Sequence, residues 1–106
     1  IRVDGQIVRG CLMLAAQADG AEVETIEGLS DDGSISDLQQ AFHERNAVQC
    51  GFCTPGMLLT AEELLQKNPS PSREDIREFI SGNYCRCTGY QAIVDAIERV
   101  ANERNA

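Results

Sequence analysis

"QCGFCTPG", residues 49–56, and "YCRCTGY", residues 84–90, each set a cysteine pair just ahead of a stretch with helical patterning. The pairs are tight, Cys50-x-x-Cys53 and Cys85-x-Cys87, and a Thr follows the second cysteine of each. Residues separated by one other have Cα atoms at most roughly 6–7 Å apart, given ~3.8 Å per peptide step. Cys85 and Cys87 can therefore turn toward one site. Cys50 and Cys53, joined through Gly51-Phe52, can do the same. Gly51 allows the unusual dihedrals of such a turn and frees N–H groups to point at sulfur. A helix N-terminus carries unpaired N–H groups and about half a positive charge. With Thr54 and Thr88 opening two helices, both positive ends are expected to converge on whatever the four thiolates hold.

Thiolates are soft ligands, suited to zinc, copper(I) or iron–sulfur clusters. Four of them also form a closed structural zinc site, usually from two C-x(2–4)-C knuckles. C-x-C is less usual there, and zinc gives no reason for paired helix ends. Spacing thus leans to iron–sulfur and leaves open a zinc module that mediates protein contacts. The chain has five cysteines, so a closed set of disulfides would leave one over. Cys11 stands apart from the motifs and by itself reads as a small core residue.

Outward from the motifs, four helices are expected. Ser34-x-x-Asp37 resembles a capping box ahead of Leu38, Ala41 and Phe42 at helical spacing. Thr54 as N-cap with Pro55 at the first helical position opens the second, whose apolar face is Met57, Ala61, Leu64 and Leu65. Asn68-Pro69 ends it. Ser72-x-x-Asp75 caps a third, with Ile76, Phe79 and Ile80, and Gly82 stops it. A fourth follows Thr88-Gly89, with Ile93, Ile97, Val100 and Ala101 facing inward. Short connections make this an all-α bundle. Upstream, "IRVDGQIVRG" reads as a hairpin turning at Asp4-Gly5, with Ile1, Val3 and Ile7 as its apolar positions. Residues 10–18 read as a short helix ended by Asp19-Gly20. "EVETIEG" then reads as a half-buried strand with Val23 and Thr25 set against Glu22 and Glu24, closed by Ile26 and Leu29. These pieces cannot build a core of their own. The expected division is therefore 1–29, the end of a domain, and 30–106, a helical domain, with the polar break "SDDGS" (30–34) as boundary.

The 106 residues suit one domain, or one domain plus part of another. A formal charge of −8 and a single lysine, Lys67, argue against nucleic acid, which needs clustered cations. The longest apolar run, "CLMLAA" at 11–16, is too short to span a bilayer. No Arg/Lys-led leader opens the sequence, so the expected compartment is the reducing cytoplasm, where cysteine clusters hold metal more often than they pair.

"QCGFCTPGML" and "GNYCRCTGYQAI" resemble the C-terminal helical [2Fe–2S] domain in the small subunit of molybdenum hydroxylases, the family of xanthine dehydrogenase, aerobic carbon monoxide dehydrogenase and aldehyde oxidoreductase. The resemblance covers the whole chain, because "VDGQIVRGCLMLAAQADGAEVETIEGL" looks like the end of the preceding plant-type ferredoxin domain. It implies a mainly α fold, a four-helix [2Fe–2S] domain behind the C-terminal remnant of a β-grasp domain. It implies that Cys50, Cys53, Cys85 and Cys87 ligate the cluster nearer the molybdenum cofactor. Cys11 matches the fourth ligand of the ferredoxin-type cluster, whose C-x₄-C-x₂-C ligands lie just upstream of where this sequence starts. Gln49 and Cys87 match positions that approach the pterin. The implied function is electron transfer from a molybdopterin-binding large subunit, through [2Fe–2S] clusters, toward FAD on a medium subunit or another acceptor. No substrate-converting site is expected in the chain itself.

Other side chains have plainer readings. His43 is expected to be solvated or at the core edge, Tyr90 to pack, and Arg86 to offset cluster charge or to be solvated. Phe52 is expected to act as a lid excluding water. "EVETIEG" and "SDDG" read as solvated acidic faces.

Overall fold

Asp4 and Gly5 both take positive φ, 48° and 83°, as the two central residues of a type I′ turn must. In this computed structural model, which describes residues 1–30 and 33–106, the turn joins β1 (Arg2–Val3) to β2 (Gln6–Ile7) with Arg2 opposite Ile7. A third strand, β3 (Val23–Glu24), pairs antiparallel with the other side of β1, giving the order β2-β1-β3. The expected facing of β3 is reversed. Val23 is exposed, whereas Glu24 is half-buried and its carboxylate meets the Arg2 guanidinium at 2.6 Å. Arg2 stands directly across the ladder from Glu24, so a cross-strand ion pair sets the facing that alternation alone assigned to Val23.

Residues 10–18 do not form one helix. They make two 3₁₀ turns, Gly10–Leu12 and Ala15–Ala18, with extended backbone at Met13 and Leu14 between them. Leu12 and Leu14 are 83% and 70% exposed. With no surface to pack against, a short helix gains too little to offset its nucleation cost. A third 3₁₀ turn, Ile26–Leu29, follows β3. Asp31 and Asp32, at the centre of the expected boundary and of its solvated acidic face, lie outside the described residues.

Four α-helices follow among the described residues: α1 (Asp37–Glu44), α2 (Thr54–Lys67), α3 (Arg73–Ile80) and α4 (Gln91–Arg104). The box that starts α1 is Ser36 with Gln39, not Ser34 with Asp37. The Ser36 hydroxyl accepts from Gln39 N–H at 3.2 Å and the Gln39 amide oxygen accepts from Ser36 N–H at 2.7 Å. Asp37 instead lies in the first turn, its carboxylate against the Arg104 guanidinium at 2.7 Å. The Ser72–Asp75 box forms as read, with both reciprocal bonds made.

α1 packs on α4, and α2 on α3. Leu38, Phe42, Met57, Ile76, Ile93, Val94, Ile97 and Val100 are fully enclosed between them. Burying each of the larger ones contributes on the order of 1.5–3 kcal/mol. α2 is buried well beyond its one expected face, at Leu58, Leu59, Thr60 and Glu63 as well. The sheet side explains this: β2 and the Ile26–Leu29 turn pack on α2, Ile26 and Leu29 lie against the core, and Ile7 N–H donates to Glu63 Oε1 at 3.0 Å. The Arg9 guanidinium lies against Gly82, beyond the end of α3.

Candidate metal centre

The first motif is a turn that delivers a helix. Gly51 has φ +84°, and Phe52 N–H, freed by that turn, points at Cys50 Sγ at 3.5 Å. Cys53 is the N-cap of α2, and its carbonyl accepts the first helical bond from Met57 N–H at 3.0 Å. The expected N-cap, Thr54, is already the first helical residue. Its hydroxyl is buried without a hydrogen-bond partner. The reason is local: Cys53 leaves the turn with helical dihedrals, φ −80° and ψ −13°, so the helix begins one residue earlier than the Thr-Pro pattern indicates.

The second motif folds around its first cysteine. The chain leaves α3 through Asn83, whose side-chain amide donates to Thr60 Oγ1 on α2 at 3.0 Å. Cys85 is buried and its N–H donates to the Tyr90 hydroxyl at 2.9 Å. Its sulfur receives Thr88 N–H at 3.4 Å and the Thr88 hydroxyl at 3.0 Å. Tyr90, a non-glycine residue with φ +70°, is the N-cap of α4. The expectation that α4's positive end meets the site through Thr88 is thus corrected. α4 starts at Gln91, and the donors at the second motif are those of Thr88 itself. Among the described residues, only α2 opens directly on a cysteine. Tyr90 does more than pack. The signal for it in the sequence is Gly89, which makes the turn tight enough to return the next side chain to Cys85.

The four thiols come together as two pairs. Cys50 Sγ and Cys87 Sγ lie 3.6 Å apart near the surface, and the more buried Cys53 and Cys85 line the same cavity close enough to shift each other's titration. A cavity of about 190 Å³ is lined by these four cysteines with Phe52, Tyr84 and Arg86. Burial, with hydrogen bonding to Cys85 next, pushes the Cys53 thiol up to about 11. Burial also acts upward on Cys85, yet donation from the Thr88 hydroxyl and N–H, then from Cys53, outweighs it and brings that thiol down to about 7. Hydrogen bonding to Cys50 raises Cys87. The donors aimed at Cys85 sulfur thus favour its thiolate form.

The remaining candidates divide. Gln49 is exposed next to Cys50, and Arg86 is exposed on the cavity rim. Phe52 lines the thiol cavity but is itself 94% exposed, so it stands at the rim rather than closing over the thiols as a lid. His43 is exposed on α1, as expected. Cys11 is exposed on the Gly10–Leu12 turn and is not among the residues that line the thiol cavity.

A family profile described as "[2Fe-2S] binding domain" matches residues 25–98. The chain belongs to that family. It is 58% identical over 97 residues to the nicotine 6-hydroxylase small subunit of Paenarthrobacter nicotinovorans, covering 92% of this chain and 58% of that protein. It is 52% identical over 104 residues to caffeine dehydrogenase subunit gamma of Pseudomonas sp. (strain CBB1), covering 95% of this chain and 62% of that protein. The chain thus spans about three-fifths of the length of these curated relatives. Quinoline 2-oxidoreductase from Pseudomonas putida 86 superposes with a TM-score of 0.89 at 48% identity, over 99% of this chain and 68% of that one. The small [2Fe–2S] subunit resemblance and the mainly α, four-helix fold read in the sequence are both borne out. No helix among the described residues is long and apolar enough to cross a membrane.

Proposed function

We propose that Cys50, Cys53, Cys85 and Cys87 hold a [2Fe–2S] cluster and that the chain serves as the electron-transfer iron–sulfur part of a molybdopterin-dependent hydroxylase or dehydrogenase. The observation that carries this is the meeting of the four thiols around one cavity, Cys50 with Cys87 on its exposed side and Cys53 with Cys85 on its buried side. A closed zinc site gathers four thiolates around one point, whereas a two-iron cluster takes two thiolates at each iron. The donor set also fits: four soft sulfurs, the positive end of α2 at Cys53, and N–H and O–H groups aimed at Cys50 and Cys85. When bound, the cluster supplies reversible one-electron chemistry. The chain's own residues fix the sulfurs, and Thr88, Phe52 and α2 place positive ends of dipoles against them.

In this reading, electrons come from a large subunit carrying molybdopterin and leave toward FAD on a medium subunit or another acceptor, in the cytoplasm. Residues 1–29 are the end of a ferredoxin-type β-grasp unit and 30–106 the cluster-binding helical unit. Cys11 is the fourth ligand of a second cluster that needs three further cysteines. Gln49 and Cys87 face the pterin; both are exposed here, as an interface requires, and the Gln49 amide can donate to and accept from a pterin edge. Nicotine, caffeine and quinoline in the relatives' names support a nitrogen heterocycle as the substrate class of the large subunit.

Anaerobic reconstitution tests the site. The chain should take up close to two iron and two sulfide. Cys53→Ser or Cys85→Ser should bleach the cluster or shift its EPR signal, while Cys11→Ser leaves it intact. Stoichiometric zinc without sulfide would sink the cluster assignment, and four iron per chain would sink the reading of Cys11.

A further inference from the structure

We propose that the Thr88 hydroxyl sets the reduction potential of the centre by donating a hydrogen bond to Cys85 sulfur, which makes Thr88 a positioning residue rather than a ligand. This rests on the reading that Cys85 is a ligand of a [2Fe–2S] cluster. The Thr88 hydroxyl lies 3.0 Å from Cys85 Sγ and accepts Tyr90 N–H at 3.2 Å. A hydroxyl has one proton to give. A metal-bound thiolate has none, so between these two atoms only O–H to sulfur donation remains. The N–H from Tyr90 occupies an oxygen lone pair and turns the hydroxyl proton away, toward sulfur. Tyr90 holds that position with φ +70°, and its own hydroxyl ties back to Cys85 N–H at 2.9 Å. The turn 85–90 is therefore closed on itself around a single sulfur.

The four sulfurs are not equivalent in this respect. Cys50 Sγ receives one backbone N–H, from Phe52 at 3.5 Å. Cys85 Sγ receives a backbone N–H and a side-chain hydroxyl, and Cys85 is buried where Cys50 is exposed. Reduction adds one negative charge to the cluster and its thiolates. A donor to sulfur stabilises the reduced form more than the oxidised one, most of all where water is excluded. Hydrogen bonds to the sulfurs are an established lever on such potentials. Of the donors seen here, the Thr88 hydroxyl is the one that a side-chain substitution removes, while the backbone N–H donors to Cys50 and Cys85 stay in place.

The test uses the full chain reconstituted with iron and sulfide, as wild type, Thr88→Val and Thr88→Ser. Valine keeps the shape and removes the hydroxyl; serine keeps the hydroxyl. At a fixed solution potential, Thr88→Val should lower the ratio of reduced to oxidised cluster about tenfold, equal to about 59 mV for one electron. Its iron and sulfide content should stay at the wild-type level. Thr88→Ser should stay within about twofold of wild type. Two results overturn the proposal: a loaded Thr88→Val protein whose potential matches wild type, or a loaded Thr88→Ser protein shifted as far as the valine variant. Loss of the cluster from Thr88→Val with its helices intact by circular dichroism also overturns it, because Thr88 would then act in assembly. A wild-type chain that takes up no sulfide fails the cluster reading instead, and that is seen before any variant is measured.

Discussion

Residues 1–30 and residues 33–106 are held together by different physics. Before Leu38 no described residue is buried, and the three strands have two residues each. A sheet that small has no independent stability in water. The helical region encloses eight large side chains completely and satisfies two of its helix starts with local boxes at Ser36 and Ser72. The first region is ordered by what it rests on: Ile26 and Leu29 against the core, Ile7 N–H on Glu63, Arg9 over Gly82. Dependence therefore runs one way. The helices keep an enclosed core without the sheet, whereas the sheet has none without the helices.

The largest effect should come from breaking the region that stands alone. Phe42→Ala removes a fully enclosed ring between α1 and the rest of the bundle and should cost about 3–5 kcal/mol. Thermal unfolding followed by circular dichroism should show one transition at much lower temperature, and the strand amides should lose exchange protection in step with it. Val23→Ala in β3, an exposed position, should change stability by less than about 0.5 kcal/mol. Equal losses for the two variants would mean that the sheet carries its own share of the core.

Cutting the contact between the regions should have an intermediate effect. Glu63 is buried at 9% exposure on α2, accepts Ile7 N–H, and has Lys67 at 3.6 Å. Glu63→Ala removes a charged acceptor and should cost about 1.5–3 kcal/mol, felt chiefly upstream of α1. Limited proteolysis should then cleave within 1–30 many times faster while 33–106 survives, with cluster content unchanged. Uniform loosening of both regions would contradict the one-way dependence.

This contrast also explains which features are legible in the sequence. Asp4-Gly5 and Ser72-x-x-Asp75 were legible because their chemistry is complete within four or five residues: two positive φ angles, or two reciprocal hydrogen bonds. The four clustered cysteines were legible because short spacings bound where their sulfurs can go. Glu63 was not, since its burial depends on an amide 56 residues away. Nor was the facing of β3, which depends on Arg2 across the ladder. The sequence does not decide between Ser34-x-x-Asp37 and Ser36-x-x-Gln39, which satisfy the same local rule two residues apart, and the structure uses the second. The link from Tyr90 to Cys85 needs a positive φ at a non-glycine residue, which no propensity favours. Thr54 is not the N-cap for a related reason, since Cys53 already leaves the Gly51 turn with helical dihedrals and the helix starts upstream of Thr54.

The smallest expected effect bears on that last point and has an unusual sign. The polar groups of 1–30 mostly reach water, but one inside 33–106 does not: Thr54 Oγ1 is buried beside the thiol site with no partner. An unpaired buried hydroxyl costs free energy that an apolar group of the same shape avoids. Thr54→Val should therefore leave the chain unchanged or stabilise it by up to about 1 kcal/mol. Ser36→Ala and Ser72→Ala, which remove hydroxyls that do cap helices, should each cost about 1 kcal/mol. All three variants alter one hydroxyl near a helix start, so the difference in sign isolates whether that hydroxyl is used. Urea denaturation of the three side by side measures it. A loss of 1 kcal/mol or more in Thr54→Val would show that Thr54 caps α2 after all, as the Thr-Pro pattern alone would have it.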